Sequence, residues 1–277
     1  MQPTVGYKIV KLASGVHSVH SFAERETFHP VIGPVAEAEA LYVNQLKLRE
    51  RLKNHSGEFV IWDVGLGAAA NALTVLHATK DIACKIHLIS FDHKLEPLEF
   101  ALKYAAELGY FGGYENHLKN FLHAQQVTFQ DGGQSVNWEF RLGDFPTLLA
   151  QPAAKTFPKP HAILFDAYSP AKNPAMWTLP LFTNLFQLLD PQRPCALPTY
   201  SRSTILRVTL LLAGFFVGVG HATGEKEETT IAANTLESIS EPLDRRWLER
   251  LRRSSAPFSA DAPSDAFDRI ARLPQFR

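Results

Sequence analysis

Three acidic residues, Asp63, Asp92 and Asp166, are the residues best placed in the sequence to do chemistry. Each follows a short run of mainly apolar residues. Such runs predict strands that are buried on both faces of a parallel sheet. Because ligands of open α/β sheets bind outside the carboxyl ends of the strands, we expect these carboxylates to lie at a binding site.

A glycine turn follows the first of these strands. Residues 65–71 read Gly-Leu-Gly-Ala-Ala-Ala-Asn and precede a predicted helix. Glycines let the backbone approach a ligand closely, and the start of a helix offers N–H groups that have no partner within the helix. Asp92 lies 25 residues after Gly67, a spacing that suits a carboxylate accepting hydrogen bonds from two ribose hydroxyls. The turn alone does not decide the cofactor, although an acid at Asp63 is more typical of methyltransferases than of dinucleotide sites.

The loop after the third strand carries the most specific motif. Residues 166–177 read Asp-Ala-Tyr-Ser-Pro-Ala-Lys-Asn-Pro-Ala-Met-Trp, and the two prolines stiffen the loop. The motif resembles the DGF-x-PAKNP-x-MW signature of the MnmC-type methyltransferases, with Ala167 and Tyr168 in place of Gly and Phe. That family uses S-adenosylmethionine to complete 5-methylaminomethyl-2-thiouridine at the wobble position of tRNA. The chain resembles the stand-alone form of this family, which lacks a fused flavin oxidase domain.

The resemblance implies an α/β fold of the class I Rossmann-like methyltransferase type, with a seven-stranded, mostly parallel sheet that contains one antiparallel strand. We predict three parts in the chain. Residues 1–55 form an N-terminal extension with a hairpin and a helix, residues 56–240 form the methyltransferase domain, and residues 241–277 form a basic C-terminal tail.

Two patterns predict the structure of the extension. Residues 7–12 and 16–22 are typical of a β-hairpin, and residues 34–54 predict one amphipathic helix. We expect the charged face of this helix, which includes Glu37, to point to solvent. The resemblance implies that the segment before the first core strand helps to roof the cofactor site. The candidates in this roof are Glu26, Thr27 and His29.

The resemblance also implies the residues of the site. The predicted cofactor-binding residues are Asp63, Gly65, Gly67, Asn71, Asp92, Gly143, Asp144 and Asp166. The predicted substrate-binding residues are Tyr168, Pro170, Lys172, Asn173, Trp177 and Ser201. Asp166 and Tyr168 are the predicted catalytic residues: the carboxylate orients the substrate amine, and the aromatic ring covers it. Alanines replace the third glycine and the threonine of the family's G-F-G-T-G-x-N turn, which leaves open how the turn holds its cofactor.

The charges and cysteines limit the partners and the compartment. Lys and Arg total 28 and Asp and Glu total 28, so a contact with tRNA must come from a local patch. We predict such a patch on a helix at 244–253, and its members are Arg245, Arg246 and Arg250. The loop 224–228 is more acidic than the basic loop of the family. Two cysteines without metal-ligand spacing predict no metal site and a reducing, cytoplasmic location, and no apolar run is long enough for a membrane span.

Three other functions remain open from the residues alone. A small-molecule amine methyltransferase would have the same fold and would suit the balanced charges. A non-catalytic binding protein would keep the loop at 166–177 without its chemistry. A nicotinamide oxidoreductase would explain the glycine turn, but the sequence has no evident hydride-site histidine or tyrosine–lysine pair.

Overall fold

The structure of the protein, a computed structural model, describes residues 6–224, 227–255 and 257–277. The strands in these ranges are β1 (Tyr7–Lys11), β2 (His17–Ser21), β3 (Glu26–Thr27), β4 (Glu58–Val64), β5 (Cys84–Asp92), β6 (Gln126–Asp131), β7 (Gln134–Leu142), β8 (Ala162–Phe165), β9 (Ala196–Thr199), β10 (Phe216–Gly220) and β11 (Thr229–Ala233). The α-helices are α1 (Pro34–Ala38), α2 (Leu48–Lys53), α3 (Ala70–Thr79), α4 (Glu96–Lys103), α5 (Ala105–Leu108), α6 (Glu115–Ala124), α7 (Phe145–Ala150), α8 (Leu179–Leu188), α9 (Thr204–Ala213), α10 (Arg245–Arg252) and α11 (Ala266–Ala271).

The central sheet confirms the predicted class of fold. Within the described ranges it has eight strands in the order β10-β11-β9-β8-β4-β5-β7-β6. The seven strands from β10 to β7 form the predicted mostly parallel sheet, in which β11 alone among these described strands runs opposite to the rest. The eighth strand, β6, pairs antiparallel with β7. It extends the edge of the sheet because the tight turn at Gly132 and Gly133 folds it back on its neighbour.

Helices cover both faces of the sheet because its middle strands are apolar on both sides. Ile61 and Leu88 belong to the core layer under α3, whereas Trp62 and Ile163 belong to the opposite layer under α8 and α9. Alternation of side chains along a strand sends neighbours to opposite faces. The strands β4, β5 and β8 are therefore fixed from both sides, and the acidic residues near their carboxyl ends have little freedom to move.

The N-terminal extension agrees with the predicted hairpin but not with the predicted helix. Strands β1 and β2 pair antiparallel, and β3 joins them to form a small N-terminal sheet. Instead of one helix over 34–54, α1 continues into a π-helical segment, Glu39–Asn44, and the chain then breaks before α2. The break lies at Lys47, which has a left-handed backbone with φ 50°. The expected exposure of Glu37 is wrong: its side chain is buried, because α1 turns this face towards the interior.

The remaining elements follow the sequence pattern with smaller differences. Residues 96–108 form two helices, α4 and α5, which are divided at Tyr104. The connector between α7 and β8 contains a short 3-10 helix, Pro152–Thr156, in which Ala154 is buried. Residues 225 and 226 of the acidic loop lie outside the described part of the chain. None of the helices in that part is both long and apolar enough to cross a membrane. The division of the chain at residues 55 and 240 stays a prediction.

Arg207 of α9 is a buried cation that links the helix to β11. Its Nε donates a hydrogen bond to Thr230 Oγ1 at 3.1 Å, and its Nη2 donates to the carbonyl of Thr229 at 2.8 Å. The same Nη2 lies 3.2 Å from Glu228 Oε1. Because hydrogen bonds from a charged donor are stronger than neutral ones, this contact should hold the two elements together.

We expect Arg207→Met to lower the free energy of unfolding by about 2 kcal/mol. The variant keeps an apolar stem but leaves the Thr229 carbonyl without this donor. Urea denaturation followed by circular dichroism measures the change. Arg202→Met is the control, because Arg202 is exposed in the turn before the same helix, and its effect should stay below about 0.5 kcal/mol. Equal losses in the two variants would contradict the role given to Arg207.

Candidate active site

A cavity of about 420 Å³ lies at the carboxyl ends of the middle strands, under the small N-terminal sheet. This volume is in the usual range for a site that holds a small molecule or cofactor. The cavity lies where the strands β4, β5, β7 and β8 end, so one space collects the residues that follow them. The predicted site residues that line it are Gly65, Gly67, Asn71, Asp92, Gly143, Asp144, Asp166, Tyr168 and Asn173.

The glycine turn packs against the backbone of the loop at 166–177. Gly65 has φ 91°, and a Cβ at this position would lie only 2.5 Å from the carbonyl oxygen of Asp166. Glycine is therefore required here both by the backbone conformation and by the close approach. Ala69, at the start of α3, also has a left-handed backbone with φ 61°. This is the position at which the family's turn carries its third glycine.

The carboxylate of Asp92 is held at one side of the cavity. Its Oδ2 accepts a hydrogen bond from Gly67 N at 3.0 Å, and its Oδ1 accepts one from His93 N at 2.7 Å. These two bonds fix the orientation of the carboxylate beside the glycine turn. A carboxylate oxygen has more than one acceptor direction, so Asp92 can also accept hydrogen bonds from a ligand.

Asp166 lies at the centre of a buried polar cluster. Asn71 Nδ2 donates a hydrogen bond to Asp166 Oδ2 at 2.8 Å, and His29 Nε2 lies 3.4 Å from the same oxygen. On the other side of the imidazole ring, His29 Nδ1 lies 3.5 Å from Glu37 Oε1. Burial of the ring opposes protonation, but the carboxylates of Asp166 and Glu37 outweigh it and raise the pKa of His29 to about 9. We therefore expect an imidazolium between two carboxylates at neutral pH.

The same three side chains are also close enough together to be considered as ligands of a metal ion. Ligand atoms of His29, Glu37 and Asp166 lie within 4.8 Å of one another. However, the two ring nitrogens lie nearest to different carboxylates, and an imidazole ligates a metal ion through one of its nitrogens. The arrangement fits a charged imidazolium that contacts both carboxylates better than it fits one bound metal ion.

The small N-terminal sheet holds the loop of Asp166 from above. The carboxylate of Glu26 accepts hydrogen bonds from Ser169 N at 3.3 Å and from Ser169 Oγ. The rings of Phe28 and Tyr168 meet edge to face with their centroids 5.7 Å apart. Glu26, Thr27 and His29, the residues predicted to form the roof, all line the cavity. Roof and loop are thus joined by both polar and aromatic contacts.

Five predicted site residues lie outside the lining of the cavity: Asp63, Pro170, Lys172, Trp177 and Ser201. Trp177 is buried behind the loop, where its Nε1 donates a hydrogen bond to the carbonyl of Tyr168 at 2.8 Å. Lys172 is exposed. Trp177 therefore supports the loop from its back, and Lys172 is free to face solvent.

Asp63 is buried in the sheet beneath the glycine turn. Its Oδ2 accepts a hydrogen bond from Ser90 Oγ at 2.7 Å, and its Oδ1 has no hydrogen-bond partner among the described residues. Burial, opposed by the Ser90 hydrogen bond and reinforced by the charges of Asp166 and Asp92, raises the pKa of Asp63 to about 7. This carboxyl is therefore partly protonated at neutral pH.

Glu37, Phe28, Met176 and Tyr200 also line the cavity, and sequence analysis did not assign them to the site. Tyr200 follows strand β9, and its hydroxyl donates to the carbonyl of Ala167 at 3.0 Å. Its position at the carboxyl end of this strand is a signal that could have identified it. Glu37 gave no such signal, because its exposure depends on how α1 packs. The three arginines of the predicted tRNA patch, Arg245, Arg246 and Arg250, are exposed on α10.

The residues of the cavity fit S-adenosylmethionine. Asp92 offers a fixed carboxylate for ribose hydroxyls, and the glycine turn allows a ligand to approach its backbone. Asn71 Oδ1 is buried without a hydrogen-bond partner among the described residues, so it is available to a donor such as an amino group. Asp144 accepts a hydrogen bond from Thr147 N at 3.1 Å as the N-cap of α7, which fixes it at the cavity.

Comparison with known proteins supports this assignment. Residues 112–235 match a family described as S-adenosyl-L-methionine-dependent methyltransferase. The chain is 28% identical over 228 residues to the tRNA 5-methylaminomethyl-2-thiouridine biosynthesis bifunctional protein MnmC of Aeromonas hydrophila. This match covers 78% of this chain and 34% of that protein. It is 30% identical over 219 residues to the protein of the same name from Ectopseudomonas mendocina, covering 75% of this chain and 31% of that protein. The chain thus spans about a third of the length of these relatives.

Solved structures share the fold. The crystal structure of MNMC2 from Aquifex aeolicus has a TM-score of 0.70 at 21% identity and covers 98% of this chain and 85% of that chain. A spermidine synthase in complex with the transition state analogue AdoDATO has a TM-score of 0.53 at 12% identity, with 97% and 82% covered. Together, these findings confirm the resemblance to the MnmC-type methyltransferases, the class I fold and S-adenosylmethionine as the cofactor of a methyltransferase.

We expect Gly65→Ala to weaken both folding and cofactor binding. A left-handed backbone costs alanine about 1–2 kcal/mol, and the added methyl group must also displace the backbone of Asp166. Gly57→Ala is the control, because Gly57 has φ 95° but open space around its Cβ position. Thermal unfolding and calorimetric titration with S-adenosylmethionine measure the two effects. Loss of cofactor binding in both variants, or in neither, would contradict the contact between the turn and the loop.

We expect Asp63→Asn to become more stable, relative to the wild type, as the pH rises from about 4 to 7. In this window the unfolded chain loses the proton of Asp63, whose pKa there is about 3.9, while the folded protein keeps it. Wild-type stability therefore falls as the pH rises, by about 3 kcal/mol in total, and the amide removes this loss. Urea denaturation at several pH values measures the difference. A difference that does not change with pH would show that Asp63 is ionised in the folded protein.

Proposed function

We propose that this relative of the MnmC-type methyltransferases transfers the methyl group of S-adenosylmethionine to the primary amine of 5-aminomethyl-2-thiouridine at the wobble position of tRNA. The product is 5-methylaminomethyl-2-thiouridine, and the location is the cytoplasm. The observation that carries the proposal is the position of Asp166. It directly follows β8 and is the first residue of the loop at 166–177, called the signature loop below. At the wall of the cavity it contacts Asn71 and His29.

The cofactor would be held along the carboxyl edge of the sheet. Asp92 would accept hydrogen bonds from the ribose, Gly143 and Asp144 would lie beside the adenine, and Gly65, Gly67 and Asn71 would lie beside the amino-acid end. Asp63 would act from beneath, by supporting the glycine turn. When bound, S-adenosylmethionine supplies a methyl group activated by the positive charge of its sulfonium.

Asp166 would orient the amine of the substrate. A primary alkylamine has a pKa of about 10, so it enters the site mainly as an ammonium ion and must lose a proton before it can attack. A carboxylate is a much weaker base than an amine and is poorly suited to this step, but it can accept an N–H hydrogen bond and stabilise the positive charge that forms on nitrogen. The rings of Tyr168 and Phe28 would exclude water from the amine. Alignment of the amine with the methyl group is then the main contribution of the protein.

The tRNA itself would be held by exposed residues around and beyond the cavity. Lys172 is exposed on the loop at 166–177, outside the cavity lining, and would contact a phosphate of the anticodon loop. Asn173 lines the cavity and would contact the nucleoside, and Pro170 and Ser201 would contact the tRNA outside the cavity lining. The exposed arginines of α10 offer further phosphate contacts. The names of the relatives, which include tRNA 5-methylaminomethyl-2-thiouridine biosynthesis, support this choice of substrate.

The test is the incorporation of labelled methyl groups from S-adenosylmethionine into tRNA that lacks the final wobble methyl, with mature tRNA as the control. We expect incorporation into the undermethylated tRNA alone. Asp166→Asn should lower the single-turnover rate on the order of 100-fold, because it removes the charge that stabilises the developing ammonium. Asp268→Asn, which changes an exposed carboxylate on α11, should leave the rate unchanged.

Two results would contradict the proposal. A full rate in Asp166→Asn would remove Asp166 from the mechanism. An absence of incorporation by a wild-type protein that still binds S-adenosylmethionine in calorimetry would exclude tRNA as the substrate and favour a small-molecule amine, which the balanced charges of the chain would also suit.

A further inference from the structure

The proposed function leaves an electrostatic conflict at Asp166. A carboxylate next to the substrate nitrogen favours the ammonium form, because opposite charges attract. The ammonium has no lone pair and cannot attack a methyl group. Glu37, a second buried carboxylate in the same cluster, would increase this preference. A site with these two carboxylates therefore needs a positive charge of its own if the bound amine is to be neutral.

His29 is placed to supply this charge. Its ring lies between the carboxylates, with Nε2 3.4 Å from Asp166 Oδ2 and Nδ1 3.5 Å from Glu37 Oε1. Its side chain is 8% exposed, so water screens the charge weakly. The backbone of His29 is left-handed with φ 47°, which histidine tolerates better than most residues. Neither the signature loop nor the glycine turn contains this residue.

We propose that His29 is a positioning residue whose positive charge offsets the carboxylate of Asp166, so that the substrate amine beside Asp166 is held in its neutral, nucleophilic form. Glu37 anchors the imidazolium on its far side. The proposal rests on the proposed function, since it assigns the means by which that site obtains a reactive amine. The proton that the ammonium loses goes to solvent, and His29 keeps its own.

The charges in the cluster support this role. With His29 charged, the sum over Glu37, His29 and Asp166 is −1, whereas a neutral residue at position 29 would leave −2 beside the amine. Among the described residues, two phenols and an amide beside the cluster add no charge. Tyr42 and Tyr200 are neutral, because burial raises the pKa of both phenols well above the usual value, and Asn71 contributes an uncharged amide. Glu26, further along the cavity, is a carboxylate bound to Ser169.

The central test is the pH dependence of the single-turnover rate with saturating tRNA and cofactor, because this profile reports ionisations in the bound complex. His29→Asn keeps a residue type that accepts the left-handed backbone but has no charge. We expect its profile to move to higher pH by about one unit, so that the rate falls about tenfold near pH 7 and approaches the wild-type rate at the alkaline end. His29→Lys, which restores a cation, should move the profile back.

A purely structural role for His29 predicts a different result. His29→Asn would then lower the rate by the same factor at every pH, and His29→Lys would not restore the profile. Either outcome would overturn the proposal. A loss of wild-type activity on addition of a chelator would also overturn it, because it would assign the three side chains to a metal ion.

A second measurement does not depend on methyl transfer. Nuclear magnetic resonance of labelled histidine side chains follows the charge of His29, whose signal is identified by its absence in His29→Asn. We expect the ring to remain protonated at pH 8, to lose its proton near pH 9 and to titrate at lower pH in Glu37→Gln. A ring that titrates near the ordinary value of about 6.5 would overturn the proposal. If the wild type methylates no tRNA, the proposed function fails, and this titration still decides the charge of His29.

Discussion

The site depends on the backbone pairing of three parallel strands at their carboxyl ends. Asp166 N donates to the carbonyl of Val64 at 2.9 Å, and Gly65 N donates to the carbonyl of Phe91 at 2.9 Å. These bonds continue the ladders that join β8 to β4 and β4 to β5. Because they fix where each strand ends, they set the glycine turn directly against the loop of Asp166. A shift of one residue in either register would separate the cofactor side of the cavity from its substrate side.

The surroundings of two enclosed ionisable groups favour different charge states: the neutral form of Asp63 and the charged form of His29. Asp63 lies in the sheet with a hydroxyl as its hydrogen-bond donor, and burial favours its neutral form. His29 is also largely enclosed, but two carboxylates favour its charged form. Desolvation acts on both groups, and the neighbouring charges decide the outcome. Ionisable groups whose environments move their pKa values apart are typical of sites that control protons.

Local patterns in the sequence were sufficient to predict the position of the site residues that directly follow the central strands. Asp92, Asp166 and the glycine turn could be placed because each follows a short apolar run, and the carboxyl ends of parallel strands meet at one edge. The roof could not be placed in the same way. Glu26 contacts Ser169, and Glu37 contacts His29, because the small N-terminal sheet and α1 pack against the rest of the fold. Hydrophobic periodicity in the sequence does not predict this packing. Trp177 was assigned to the substrate through the family resemblance, but its indole N–H donates to the loop backbone and its ring is buried.

Ala69 has a consequence for how such turns are identified in other sequences. Its φ of 61° is the conformation for which the family uses glycine, and the methyl group of this alanine is fully buried. The turn has therefore kept its backbone path while losing the residue that usually marks it. A search pattern that requires glycine at this position would reject the chain, although the geometry which the pattern represents is present. Divergent relatives of this kind are better detected by the dihedral angles of the turn than by its letters.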